Sequence, residues 1–137
     1  MKTGARILTG IVAFMMLASG LVYMFVPDLS LGTTQITPDS LFGRANVRAN
    51  MGGPMVTFGL FLCYAAFKAN KQAIIPFLVF ASLAILARLT GLALDGFEST
   101  AAFQVGFMVA LLAATGAGYI LFGKAEGVIE EMSKATG

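Results

Sequence analysis

Histidine and tryptophan are absent from this 137-residue chain, and cysteine occurs once, as Cys63. Without histidine the chain lacks the commonest zinc ligand, the usual axial ligand of haem and the commonest acid–base side chain. A single cysteine excludes both an intrachain disulfide and a thiolate metal cluster. Because Cys63 lies in an apolar stretch, it is interpreted as a small hydrophobic residue of a helix. We therefore expect no metal, no cofactor and no catalytic residue, and an enzyme is disfavoured.

Charge is also scarce, at 12% of residues against 58% hydrophobic residues, about half the charged share of a soluble domain. The net charge of +2 is too small to indicate a nucleic-acid partner. Apolar residues fill four runs, at 7–26, 51–67, 73–94 and 101–122. Each is close to the ~20 residues that cross a bilayer. The sequence predicts an all-α integral membrane protein, a bundle of four transmembrane helices in contact with membrane lipids.

The predicted helices span about 6–26, 41–67, 72–94 and 101–122, so that residues 1–122 form the transmembrane domain. Residues 123–137 are predicted to form a short amphipathic tail on the cytoplasmic surface. Pro54 lacks a backbone N–H and is expected to kink the second helix. The first run is too long for a signal-peptide core, so an uncleaved helix is expected.

Lysine and arginine residues set the predicted orientation in a bacterial inner membrane. Cytoplasmic termini would place two basic residues outside, Arg44 and Arg48, and six inside. The six are Lys2, Arg6, Lys68, Lys71, Lys124 and Lys134. The positive-inside rule therefore predicts that both termini are cytoplasmic.

Small residues recur at every fourth position of the last predicted helix. They are Ala102, Gly106, Ala110, Ala114 and Gly118. Small residues at this spacing let helices approach closely. The partner helix could belong to the same chain or to another subunit. The eight methionines lack a Met-x-x-Met pattern and are interpreted as soft packing between helices.

Arg88 lies inside the third apolar run, where an isolated charge at the bilayer centre costs ~2.5–3.5 kcal/mol. Asp95 shares its helical face, and Arg44, Arg48 and Asn50 are expected at the same outer level, with Gln104 and Asp39 nearby in depth. Arginine binds carboxylates and phosphates through two hydrogen bonds. One interpretation is a site for an anion or lipid headgroup, formed by Arg44, Arg48, Asn50, Arg88 and Asp95. The other is a structural network, Arg88–Asp95 with Arg48, that fixes the second helix against the third.

Two stretches carry a resemblance to a known family. Residues 43–53 read Gly-Arg-Ala-Asn-Val-Arg-Ala-Asn-Met-Gly-Gly, and residues 88–96 read Arg-Leu-Thr-Gly-Leu-Ala-Leu-Asp-Gly. They resemble a bacterial family of small four-helix membrane proteins of unknown function, with a signature at Arg44, Arg48, Gly52, Gly53, Arg88, Gly91, Asp95 and Gly96. The chain is more loosely similar to DoxX-type four-helix proteins. The resemblance implies a four-helix fold, and the DoxX relatives hint at partnership in redox assemblies.

Three functions compete. The first is a non-enzymatic accessory subunit or homo-oligomeric structural component, whose partners are other membrane subunits or further copies of itself. The alternative is an anion or lipid-headgroup binding or transport protein that uses the arginine cluster. The third and least favoured is a membrane-embedded enzyme for a lipophilic substrate, with Asp95 or Asp39 as base.

Overall fold

The computed structural model of the chain describes residues 2–28, 41–94, 96 and 99–136. In these ranges the chain is helical and contains no strand. The elements in order are α1 (Lys2–Phe25), α2 (Leu41–Val47), a π-helical segment (Arg48–Gly52), α3 (Gly53–Lys68), a 3-10 turn (Lys71–Ile74), α4 (Ile75–Leu94) and α5 (Ser99–Thr136).

Four helical segments within the described residues are long and apolar enough to cross a membrane. They are Lys2–Phe25, Arg44–Lys68, Lys71–Leu94 and Ala102–Ala125. The all-helical architecture with four candidate spans, predicted from the four apolar runs, is confirmed. Insertion into a membrane and the orientation of the termini stay predictions.

The second span is interrupted by the π-helical segment, which ends two residues before Pro54. Proline has no N–H to donate, and its ring collides with the carbonyl group four residues earlier. A wider π-helical turn relieves such a collision at the expense of regular 3.6-residue periodicity. The structure thus places a helix irregularity beside Pro54, where the sequence predicts a kink.

The spans run antiparallel to their neighbours. Along the α1–α3 contact, Gly20 lies against Val56 and Leu17 lies against Gly59, so residue numbers rise on one helix as they fall on the other. Helix α1 packs most extensively on α3 and also on α5, whereas α4 packs mainly on α5. The α3–α4 contact is sparse.

Helix α5 continues without a break from Ser99 to Thr136, a length of 38 residues. At about 1.5 Å per residue this is longer than the ~30 Å hydrocarbon core of a bilayer. The stretch predicted as a separate tail therefore continues α5 as far as Thr136. Its location on a membrane surface stays a prediction.

The core lies toward one end of the bundle. Its largest fully buried side chains are Phe77, Phe122, Leu62 and Ile74. These come from the start of α4, the 3-10 turn and the later parts of α3 and α5, which the antiparallel arrangement brings together. The opposite half of the bundle has fewer buried side chains and contains the cavity described below.

Thr9 and Gly118 mark the closest approach of α1 and α5. Thr9 is fully buried, and its Oγ1 has no hydrogen-bond partner among the described residues. A Cβ atom added to Gly118 would lie 2.6 Å from this oxygen. The hydroxyl of Thr9 therefore leaves no room for a side chain at position 118, so that only glycine fits there.

We expect Gly118→Ala to lower the free energy of unfolding by about 1–3 kcal/mol, because overpacking forces the two helices apart. Gly116→Ala is the matched control, since a Cβ there meets nothing within 4 Å. Thr9→Ala removes the colliding oxygen and should restore much of the stability of Gly118→Ala. Thermal unfolding in detergent micelles compares the wild type, the three single variants and the Thr9→Ala/Gly118→Ala double variant. Equal losses from Gly118→Ala in both backgrounds would contradict the proposed collision.

Candidate functional site

A cavity of about 440 Å³ lies between the spans and borders the core, with which it shares Met16. Its wall takes residues from α1, the π-helical segment, α3, α4 and α5. The polar wall residues are Ser19, Tyr23, Asn50, Arg88 and Gln104. The remaining wall is apolar and consists of Met16, Met51, Pro54, Met55, Phe80, Phe107 and Met108. A volume of this size falls within the ~300–1,000 Å³ of small-molecule sites.

Arg88 is the charged residue of the cavity wall. It is half-buried on α4, and its Nε donates a hydrogen bond to Oε1 of Gln104 on α5 over 3.2 Å. Tyr23 of α1 lies close enough to interact electrostatically with the guanidinium. Arginine has five N–H donors. The bond to Gln104 uses one of them, so the two Nη groups offer a fork that suits an anion.

Arg44 and Arg48 lie outside the wall of this cavity, and both are exposed. Arg44 Nη2 is 3.5 Å from Oδ1 of Asp28, and the two side chains are 47% and 64% exposed. Such a solvated ion pair contributes only about 0–1 kcal/mol. Of the residues predicted to bind an anion, the structure brings Arg88 and Asn50 to one cavity. Asp95 lies outside the described residues.

Residues 4–122 match the family model described as a domain of unknown function, DUF4345. The chain belongs to the DUF4345 family. This membership fits the small family of unknown function that residues 43–53 and 88–96 indicate, whereas the signature residues and the DoxX likeness stay predictions. No curated protein and no solved structure matches the chain. The DUF4345 match includes every residue of the cavity wall.

The small-residue positions of α5 have different surroundings along the DUF4345 domain. Gly118 is buried against Thr9, and Ala114 packs against the core. Ala102 is half-buried. Gly106 and Ala110 are exposed, and a Cβ on Gly106 would meet nothing within 4 Å. The C-terminal part of the row, Ala114 and Gly118, therefore packs within the chain, and the middle part, Gly106 and Ala110, is exposed.

The sequence does not indicate that four of the methionines share a cavity. Met51 and Met55 lie four residues apart on the second span, but Met16 and Met108 come from two other spans, so no local spacing connects all four. Gln104 was expected only to lie at the same depth as Arg88, and the structure makes it the hydrogen-bond partner. Across the described part of the DUF4345 domain, no three His, Cys, Asp or Glu side chains are grouped as metal ligands would be.

Proposed function

We propose that this chain is a non-enzymatic, multi-pass protein of the bacterial inner membrane that binds an anion or anionic lipid headgroup at Arg88. The observation that carries the proposal is a half-buried guanidinium in the wall of a largely apolar cavity. An uncompensated charge within a bilayer is unfavourable. A bound anion would compensate it through the two Nη groups.

The exposed surface of the four spans supports the membrane location. Large apolar side chains are exposed along each of them, including Phe14, Phe67, Leu83 and Phe103 at 72%, 81%, 60% and 75%. Extended apolar surface of this kind is rare on soluble monomers. Lipid tails would cover it without loss of hydrogen bonds.

The charge distribution supports cytoplasmic termini. Arg6 Nη2 donates to the carbonyl oxygen of Phe67 at 3.5 Å, and Lys71 lies beside Gly123. These contacts bring the start of α1, the end of α3, the 3-10 turn and the part of α5 next to Lys124 to one end of the four spans. By the positive-inside rule that end is cytoplasmic, so Arg88 and the cavity lie toward the outer leaflet.

A second candidate function is an accessory subunit or a homo-oligomeric component. Gly106, Ala110, Ala113 and Ala117 form an exposed row on α5, spaced to accept a helix from another membrane subunit or a second copy. The enzyme remains the least favoured class, and its two candidate bases, Asp39 and Asp95, lie outside the described residues.

Native mass spectrometry of the protein extracted gently from its own membrane tests both candidates. We expect a monomer or small homo-oligomer that retains one anionic molecule per chain and loses it in Arg88→Gln. Arg48→Gln is the matched control, because Arg48 is exposed outside the cavity. A defined complex with other subunits and no retained anion would favour the accessory role. A monomer that retains neither an anion nor a partner subunit would contradict both candidate functions.

A further inference from the structure

The cavity is polar at one end and apolar at the other. Tyr23 and Arg88 lie toward the polar end, and Met16 and Phe80 lie deeper in the bundle. Tyr23 and Met16 are seven positions apart on α1, and Arg88 and Phe80 are eight positions apart on α4. These spacings correspond to about 10–12 Å along a helix. A small inorganic anion would fill only the polar end.

The apolar end of the cavity is lined by flexible side chains. Met16, Met55 and Met108 project from three spans, and Phe80 and Phe107 complete the surface. Methionine is unbranched and flexible, so a wall rich in it adapts to the shape of an apolar guest. These side chains offer no strong hydrogen-bond donors. This end therefore suits a flexible hydrocarbon chain.

The polar end carries a single formal charge. Arg88 is the one ionised side chain in the wall, and Asn50, Ser19 and Gln104 are neutral. One guanidinium whose Nε is occupied by Gln104 can still bind two oxygens of a head group through its Nη groups. The charge balance favours a monoanion over a dianion. The cavity volume of about 440 Å³ limits the guest to one tail.

The sparse α3–α4 contact marks the side of the cavity at which the fewest helix contacts would have to separate. Few contacts join the two helices, and Phe58 bridges them through a stacked contact with Phe80, with ring centroids 4.4 Å apart. Phe58 also meets Phe77 edge to face at 6.1 Å. Phe80 belongs to the cavity wall as well. Widening the cavity on this side would therefore require Phe58 and Phe80 to move apart.

From these observations we infer that the cavity binds a single-tailed amphiphile with a monoanionic head, such as a fatty carboxylate. The head group contacts Arg88, and the tail extends toward Met16 and Phe80. This inference rests on the proposed anion site and specifies its ligand class.

The test is native mass spectrometry of the full chain in a non-ionic detergent with added probes. Palmitate carries a carboxylate head and lysophosphatidylglycerol a phosphodiester head, both monoanionic. The probe that binds with the higher affinity identifies the preferred head group. We expect one adduct per chain, with palmityl alcohol and acetate each at least about tenfold weaker, because the alcohol lacks the charge and acetate lacks the tail. If acetate or inorganic phosphate binds as tightly as palmitate, the inference of an amphiphilic ligand is wrong, and the proposed anion site at Arg88 still stands. If none of the anions binds, both proposals fail.

A variant in the apolar end separates tail binding from head binding. Met108→Phe should weaken palmitate binding by roughly tenfold through overpacking of the tail region, while the affinity for butyrate, whose tail is too short to reach Met108, should stay unchanged. Leu83→Phe is the matched control, since Leu83 is exposed on α4 outside the cavity. Equal loss of both carboxylates in Met108→Phe, or no loss of either, would contradict a tail that reaches this residue.

Discussion

Replacing Gly20 with alanine is expected to destabilise the bundle more than any other single-methyl change in α1. The added Cβ would lie 2.7 Å from the backbone nitrogen of Val56 and 2.8 Å from its Cγ2. A side chain can change rotamer, but the backbone of α3 cannot yield unless the helix moves. Overpacking of this kind costs about 1–3 kcal/mol, and we expect the upper part of that range.

Gly10→Ala is the matched control, because it lies on the same helix and its Cβ would meet nothing within 4 Å. Alanine is favoured over glycine in helices by ~1 kcal/mol, so this variant should be neutral or slightly more stable. Gly52→Ala should fall between the two, since its Cβ would meet Cγ of the flexible Met24 side chain at 2.5 Å, whereas the nearest backbone atoms, Met24 N and Gly20 O, lie at 3.1 and 3.2 Å. Thermal unfolding in detergent micelles measures the order of stability of the three variants. Equal melting of Gly20→Ala and Gly10→Ala would contradict a tight α1–α3 contact.

The four candidate spans could be predicted from the sequence because a helix that crosses a bilayer needs about 20 consecutive apolar residues. The helix contacts could not. The regular row on the last helix contains one tight contact, Gly118 against Thr9, but three further tight glycine contacts, at Gly20, Gly52 and Gly59, join α1 to the second span. Spacing identifies a face that permits close approach, but it does not identify the helix that approaches. That choice depends on the packing of all the spans together.

Part of the candidate site could also be predicted. Arg88 was identified because charge is unfavourable in an apolar run, and the structure places it in a cavity wall. The expectation that Arg44 and Arg48 lie near it rested on their similar depth, and depth does not specify the face of the helix on which a side chain lies. The π-helical segment at Arg48–Gly52 also departs from 3.6 residues per turn, so the faces before and after it do not align regularly. Asn50 reaches the cavity, and Arg44 pairs instead with Asp28.

Replacing Arg88 with leucine is expected to weaken binding of the anionic ligand by about 10- to 100-fold, because a charged hydrogen bond contributes ~1.5–3 kcal/mol. The fold should tolerate the change. Leucine is apolar, and removing the charge lowers the free-energy cost of placing α4 in a bilayer. The hydrogen bond lost is the one to Gln104, whose amide is half-buried and next to the cavity. The change in unfolding free energy should stay below ~1.5 kcal/mol, the value of one ordinary hydrogen bond.

Gln104→Leu separates the binding role of Arg88 from a structural one, because it breaks the same hydrogen bond and keeps the charge. If Arg88 serves chiefly to fix α4 against α5, the two variants should lose equal stability, and the double variant should lose no more than either single one. If Arg88 binds the ligand, Arg88→Leu abolishes most of the affinity with little change in melting, and Gln104→Leu retains most of it. Arg88→Lys adds a further distinction. Lysine preserves the charge without the planar fork, so an intermediate affinity would indicate that the head group is held by two oxygens rather than by charge alone.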